Sequence, residues 1–413
     1  MQGLHLTADL YQCACDDGLM LDAQTIASLC RRQTESSGLT LVDDRWVKFP
    51  DWQGQPGGVT GTVLLAESHL AIHTWPETGN VTVDVYVCNF SDDNSTKAQA
   101  LMDGVVNAYT PKHAVRQQLW RGDIATDGVG QYPWAMEQLT PNAAFGFRAS
   151  NVTRRQTAFQ TLEMMDTDSF GRVMRLDNCF MTSERDEFFY HECMAHPAAM
   201  AHPQPRSALI IGGGDGGLAE ELLKHATMQR VVLAELDEAV IEASKAELEK
   251  VHRNAWDDPR LHVQIGDGMA FIDSTAERFD LLLMDLTDPD TPAGSLYEAA
   301  ALQRMKGVLA PGGALVLHLG SPVFHPEQVQ HLSQTLHGLF QHVRCYGVYV
   351  PLYGAYWGMA VCSDTIDAQS VPSEVVQQRL SERGVQDLQY YNAAVHGALF
   401  ALPNYYAQLV ERA

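Results

Sequence analysis

The sequence is short of basic residues: 28 Lys and Arg stand against 51 Asp and Glu, a formal net charge of -23. So acidic a surface disfavours nucleic acid and anionic membranes as partners and is compatible with cationic ligands. Much of that charge simply keeps a protein in solution. Long apolar runs are also missing, since no stretch approaches the roughly 20 residues of a membrane span. The start, Met1-Gln2-Gly3-Leu4-His5, carries neither the basic region nor the apolar run of a signal peptide, so the expected compartment is the cytoplasm. The eight cysteines, from Cys13 to Cys362, include no CxxC pair. That spacing speaks against a disulfide framework or a structural zinc site, and no metal is expected.

What is present is a chain of 413 residues, 46% hydrophobic, too long for one ordinary core. Its texture changes twice. Leu4 to Tyr11, Val59 to Leu65 and the alternating Val81 to Val87 read as strands, and Gln24 to Ser36 and Ser95 to Ala108 read as helices. Arg121 to Pro133 is rich in Gly and Asp without periodicity and reads as a linker. Ala158 to Arg185 reads as short antiparallel strands. From Ser207 onward strand and helix patterns alternate through ALIIGGG, VVLAELD, LHVQIGDG, FDLLLMDL and GGALVLHLG. Such alternation predicts a doubly wound, mostly parallel sheet.

The first chemical constellation is Glu67-Ser68-His69-Leu70-Ala71-Ile72-His73-Thr74-Trp75-Pro76-Glu77, with Cys88 closing the next strand. Ser68 and His73 make a candidate nucleophile and base. Metal binding by His69 and His73 is the weaker idea, because the segment reads as strand, and satisfied core histidines are the plainer alternative. ESHLAIHTWPE and VDVYVC, with GLHLTADLYQC and GVTGTVLLAESH upstream, resemble the prokaryotic pyruvoyl-dependent S-adenosylmethionine decarboxylases. The likeness implies that the Ser68 hydroxyl attacks the Glu67 carbonyl, that His73 assists, and that elimination cuts the chain and leaves a pyruvoyl group at position 68. That ketone would form a Schiff base with a substrate α-amine and act as electron sink for loss of carbon dioxide. Cys88 would reprotonate the α-carbon, and Thr60 would supply a hydroxyl for processing. Val87-Cys88-Asn89 stands where the family commonly has Thr-Cys-Gly. Ornithine or arginine therefore stays open as an alternative substrate.

The second constellation is Ile211-Gly212-Gly213-Gly214-Asp215-Gly216-Gly217, a glycine-rich turn from strand to helix. Glu235, Asp267, Asp285 and Asp288 follow at the ends of later strands, on the edge where doubly wound sheets bind ligands. Asp215 would repel a pyrophosphate, and equally the carboxylate of S-adenosylmethionine, but would suit a ligand bearing an ammonium and no carboxylate. Decarboxylated S-adenosylmethionine is such a ligand.

The block Thr182-Ser183-Glu184-Arg185-Asp186-Glu187-Phe188-Phe189-Tyr190-His191-Glu192, followed by LIIGGGDGG, AELDE, GDG, Asp285-Leu286-Thr287-Asp288-Pro289 and Pro351-Leu352-Tyr353, resembles the spermidine synthase family of aminopropyltransferases. The resemblance implies that Asp215 and Gln160 hold the aminopropyl end and that Glu235 and Asp267 hold the nucleoside. Asp285 would be the base, with Tyr190 beside it, and Asp288 and Tyr353 would position the amine. Met181, Ser183 and His318 depart from the family pattern near the cleft, which leaves the acceptor open among putrescine and other polyamines.

Together the likenesses imply an α/β chain. Residues 1–120 would be an α+β two-layer decarboxylase domain and 121–133 a linker. Residues 134–413 would be a synthase domain: a small β region (134–195), a Rossmann-like core (196–365) and a helical tail (366–413). Both families associate, so a homodimer or larger assembly is expected. A methyltransferase with an accessory domain is disfavoured by Asp215 and the Asp285/Asp288 pair. An amine-sensing regulatory protein would leave the chain uncut.

Overall fold

Alternation of valine with polar residues builds β5 (Asn80–Cys88). Val81, Val83, Val85 and Val87 are buried on one face of it. β5 lies inside a six-stranded antiparallel sheet with β1 (Gln2–Cys13), β2 (Leu41–Lys48), β3 (Val59–Leu65), β4 (Ser68–Trp75) and β6 (Pro111–Gly122), in the order β2-β3-β4-β5-β1-β6. Two helices cover the valine face. α1 (Ala23–Ser36) starts at Asp22, whose carboxylate accepts from the amides of Gln24 and Thr25. α2 (Ser95–Tyr109) turns Ala98, Leu101, Met102, Val105 and Tyr109 onto the same core.

The computed structural model describes residues 2–51, 54–89, 93–122, 133–288 and 291–411. They belong to two compact units, Met1–Gln131 and Tyr132–Ala413. The expected linker falls, from residue 123 to 132, outside the described residues, as does Pro289 of the DLTDP motif.

The second unit opens with a two-stranded ribbon, β7 (Trp134–Thr140) and β8 (Ala143–Arg148). A four-stranded antiparallel sheet follows: β9 (Ser150–Gln156), β10 (Thr161–Thr167), β11 (Gly171–Leu176) and β12 (Cys179–Ser183). A buried helix, α3 (Glu187–Ala201), leads into the doubly wound core. Its strands are β13 (Ser207–Gly212), β14 (Arg230–Glu235), β15 (Leu261–Ile265), β16 (Phe279–Asp285), β17 (Leu309–Gly320), β18 (His342–Val350) and β19 (Ala355–Ser363), in the order β15-β14-β13-β16-β17-β19-β18. Pairing is parallel from β15 to β17 and antiparallel onward to β18. The order reverses beside β13, so the crevice of the sheet opens between the ends of β13 and β16. Among the described residues, no helix is long and apolar enough to cross a membrane.

The tail is three short helices, α4 (Ser373–Glu382), α5 (Ala393–Leu399) and α6 (Asn404–Val410). They are held to the domain by charged groups as well as by apolar packing. Glu192 of α3 accepts the amides of Gln389, Tyr390 and Tyr391 at 2.7, 2.9 and 2.6 Å. Arg383 is 3% exposed and donates to the carbonyls of Ala199, His202 and Pro203 at 2.6, 2.9 and 2.9 Å. Removing it leaves buried carbonyls without donors. Arg383→Ala should therefore cost about 2–3 kcal/mol, measured as a lower urea midpoint with an unchanged slope.

Candidate active sites

In the first unit the valine face is sealed by helices, so period-two alternation leaves Thr60, His69, His73, Asp84 and Cys88 on the opposite, open face. β3 and β4 join through a tight hairpin, Leu65 pairing with Ser68 across Ala66-Glu67. Ser68 holds φ at +151°, where L side chains are rarely found, so the backbone is strained at the expected scission point. The Glu67 carbonyl accepts the Cys88 amide at 2.8 Å, and the Glu67 carboxylate accepts the Thr40 amide at 3.1 Å. Ser68 and Cys88 are thereby brought together.

His73 is placed elsewhere. It is hydrogen-bonded through Nδ1 to Thr60 Oγ1, as the pairing of Thr60 with His73 across β3 and β4 requires. Five residues of strand at about 3.3 Å each separate it from Ser68 by roughly 16 Å. The histidine beside Ser68 in the same chain is His69, with Nδ1 at 3.2 Å from Ser68 Oγ. The sequence reading offers His69 as a metal ligand or a satisfied core histidine.

In the second unit a cavity of about 840 Å³ opens at the carboxyl ends of the parallel strands, within the range of small-molecule sites. Asp215, Glu235, Asp267, Asp285 and Asp288 line it, and so do Gln160, Tyr190 and Tyr353. Glycine is what lets the backbone run between the carboxylates. Gly212 and Gly213 have φ of +82° and +73°. A Cβ on Gly213 would lie 3.1 Å from Asp285 Oδ2, and one on Gly214 would lie 2.9 Å from Glu235 Oε2.

The carboxylates have different protonation states because their neighbours differ. Burial pushes the Asp215 carboxyl up, but the His191 imidazolium beside it and the Gly217 amide outweigh burial and hold it below the ordinary value. His191 lies between Asp215 (Nε2 to Oδ2, 3.3 Å) and Glu187 (Nδ1 to Oε2, 2.9 Å). Burial would discharge the ring, yet the two carboxylates outweigh it and hold its pKa well above 6.5. A doubly protonated imidazole donates from both nitrogens and has no lone pair for a metal. Asp285 is different. Burial, and then the charge of Asp215, push it up to about 7, against the opposing pull of His191 and the Tyr190 hydroxyl. Its Oδ2 is buried and has no hydrogen-bond partner among the described residues. One ligand atom from each of His191, Asp215 and Asp285 lies within 4.8 Å of the others.

The remaining residues spread along the cavity. Burial raises Glu235 to about 7, against the amide of Asp237, which its Oε1 accepts at 2.8 Å. Asp267 caps the next helix through the Met269 amide at 2.7 Å. Gln160 donates to Asp237 Oδ2 at 3.0 Å, so its amide is held at the Glu235 end, whereas Asp215 is held by His191. Tyr353 donates to the Met181 carbonyl at 2.8 Å. Asp288 Oδ1 lies 3.9 Å from His318 Nδ1, and burial lowers His318 to about 4, leaving a neutral ring. Its Nε2 is 2.7 Å from the Tyr297 hydroxyl. His191, Glu187, Asp237 and Tyr297 were not singled out from sequence. Only the i, i+4 spacing of Glu187 and His191 on a helix signals any of them.

Comparison with known proteins follows the same division. Residues 4–122 match the family model described as S-adenosylmethionine decarboxylase, 134–184 the spermidine synthase tetramerisation domain, and 187–371 the spermine/spermidine synthase domain. A polyamine aminopropyltransferase of Nitrosomonas europaea is 45% identical over 278 residues, 67% of this chain and 86% of that protein. One from Pyrobaculum aerophilum is 36% identical over 260 residues, 62% of this chain and 89% of the other. Among solved structures, a spermidine synthase in complex with the transition state analogue AdoDATO superimposes with a TM-score of 0.64 at 30% identity, covering 68% of this chain and 95% of its own. The spermidine synthase of Thermotoga maritima gives 0.61 at 29% identity, with 68% and 94% covered.

The His191 assignment is open to direct measurement. Its imidazole nitrogens should both carry protons at pH 7 by NMR. Asp215→Asn removes one of the carboxylates that stabilise the charge, so the ring should then lose its proton at a lower pH than in the parent chain.

Proposed function

The chain belongs to the polyamine aminopropyltransferase family and bears an S-adenosylmethionine decarboxylase domain ahead of its synthase domains, and from that premise we propose that it makes its own aminopropyl donor and passes it to putrescine. The products would be carbon dioxide, spermidine and methylthioadenosine. The observation that carries the transferase half is Asp285, a buried carboxylate with an unpartnered oxygen in an anionic cavity. An alkyl amine has a pKa of about 10.4 and arrives protonated, so it is no nucleophile until it gives up a proton. Asp285 accepts that proton, with Tyr190 beside it, as the amine nitrogen attacks the methylene next to the sulfonium and the carbon–sulfur bond breaks. Asp215 receives the donor's ammonium, and Gln160, Glu235 and Asp267 hold the nucleoside side. Asp288 and Tyr353 orient the acceptor. Two carboxylates on the acceptor side, Asp285 and Asp288, suit a short diamine.

For the decarboxylase half, strain at Ser68 and the Cys88 amide on the Glu67 carbonyl fit a serine that becomes a pyruvoyl group by self-cleavage. When formed, that group supplies the electron sink for loss of carbon dioxide. Cys88 returns a proton to the substrate carbon. The Thr60–His73 pair is remote from Ser68 in its own chain, so its part in processing requires a second copy that sets one open face against another. A homo-oligomer follows, and the likeness of residues 134–184 to a tetramerisation domain supports further association through the second unit. The cytoplasm, which supplies S-adenosylmethionine and diamines, is the compartment this chemistry needs.

Purified protein given S-adenosylmethionine and putrescine should yield spermidine by mass spectrometry and run as two fragments broken at Ser68. Ser68→Ala should stay uncut and lose decarboxylation while still using the decarboxylated donor. Methylated amine and S-adenosylhomocysteine in place of spermidine would overturn the reading. Transfer from the decarboxylated donor should also depend on pH. The working form of Asp285 is the carboxylate, so kcat/KM should fall as pH drops through about 7. Asp285→Asn should remove that limb and lower the rate about 10²- to 10⁴-fold.

A further inference from the structure

Glu187 meets a second cation on the side away from the cavity. Its side chain is 1% exposed, and its two oxygens are engaged separately. Oε2 accepts from His191 Nδ1 at 2.9 Å, and Oε1 accepts from Arg253 Nη2 at 2.9 Å. Nη1 of the same guanidinium donates to Glu220 Oε2 at 3.2 Å, which Lys224 also reaches at 3.1 Å. Charge therefore alternates outward from the cavity through Asp215, His191, Glu187, Arg253, Glu220 and Lys224. Arg253 closes the short helix Glu249–His252 at φ +41°, in the left-handed region. Glycine is favoured there and a long side chain is strained. What that costly backbone delivers is a two-armed guanidinium, one arm on a buried carboxylate. Arg253 is 33% exposed, and a pair between exposed groups would be worth little. The burial of Glu187 decides otherwise. Two buried carboxylates, Glu187 and Asp215, flank a single imidazolium, and a buried carboxylate short of counter-charge is costly. Arg253 brings the second positive charge.

We propose that Arg253 is a positioning residue for aminopropyl transfer: it engages one oxygen of Glu187 so that the other holds the His191 ring, and thereby sets Asp215 to receive the ammonium of the donor. The inference rests on the transferase reading above and adds to it a residue that does not line the cavity. Three contacts carry the effect. Arg253 to Glu187 and Glu187 to His191 are hydrogen bonds of 2.9 Å each, and His191 to Asp215 is an ion-pair contact of 3.3 Å. The planar fork of a guanidinium fixes the carboxylate it binds in direction as well as charge, so Oε2 stays aimed at Nδ1. Without Arg253, Glu187 and Asp215 compete for one cation, and the ring closes on Glu187 at the expense of Asp215. The nucleoside end has supports of its own. Glu235 accepts the Asp237 amide and Asp267 accepts the Met269 amide. Loss of Arg253 should therefore be felt at the ammonium and not at the nucleoside.

The test is ligand binding by calorimetry in the full chain carrying Ser68→Ala, so that no pyruvoyl group captures the donor's amine. Two ligands are compared. Decarboxylated S-adenosylmethionine carries the ammonium, whereas methylthioadenosine keeps the nucleoside and lacks it. Arg253→Gln should weaken the first about 10-fold or more and leave the second within about 2-fold. Arg253→Lys keeps the charge without the fork and should weaken the first only about 2- to 3-fold. Glu220→Gln frees the outer arm of Arg253 alone and should bind both ligands as its parent does. Parental donor binding in Arg253→Gln would overturn the assignment. So would an equal loss for both ligands, the mark of a general loosening, or a loss in Arg253→Lys or Glu220→Gln as large as in Arg253→Gln. If Arg253→Gln does not fold, the two affinities of Arg253→Lys decide by the same comparison: a loss confined to the donor supports the assignment, and no loss or an equal loss overturns it. If the Ser68→Ala chain itself binds no decarboxylated donor, the transferase reading fails and the assignment with it. If it binds the donor and Arg253→Gln binds it equally well, the transferase reading stands and Arg253 is a surface ion pair.

Discussion

Several carboxylates face one cavity at the edge of a parallel sheet, and they cannot all be charged there without counter-charge. That constraint organises the transferase unit. His191 supplies a positive charge between Glu187 and Asp215, which keeps Asp215 ionised and leaves Asp285 as the group that absorbs the repulsion. The outcome is two carboxylates set apart by environment: one held charged, and one raised to about 7. The helix carrying His191 must approach the glycine turn closely. A Cβ on Gly217 would fall 2.4 Å from the His191 ring, so the glycines there serve packing of the counter-charge as much as ligand access. The same helix anchors the tail through Glu192 and the carbonyl of Ala199.

The first unit works by a different constraint. A sheet with one helix-covered face has only one side left for chemistry, and the pleat decides which residues reach it. His69, Asp84 and Cys88 share that side with Thr60 and His73, but the extended strand keeps the two groups apart. Strain is concentrated at Ser68, next to the bond that the proposed self-cleavage breaks, and is held there by the short hairpin and the ladder to Val87.

Much of this was legible in sequence where the signal is local. β3 occupies the same residues expected for it, and α1 and α2 differ by a single residue at one end, because alternation and helical spacing report burial of one face. β2 and β6 escaped notice because both are edge strands with largely exposed side chains, so neither shows the alternation a half-buried strand would. The glycine turn and the strand-end acids were readable because the doubly wound fold dictates where they lie. What could not be read was pairing across sequence. Nothing local announces that His191 faces Asp215, that Gln160 is held by Asp237, or that Ser68 has His69 and not His73 beside it. The tail was readable as helix, but its attachment depends on Glu192 and Arg383 meeting backbone groups of distant segments.

The central claim is that the transferase cavity selects its donor by the absence of a carboxylate, because Asp215 remains charged. It is tested most directly in the Ser68→Ala chain, by measuring how strongly S-adenosylmethionine competes with its decarboxylated form in aminopropyl transfer. Like-charge juxtaposition costs several kcal/mol, so S-adenosylmethionine should bind about 10²-fold or more weakly than the decarboxylated donor, and Asp215→Asn should narrow the gap. Comparable affinities for the two compounds in the Ser68→Ala chain would contradict the account.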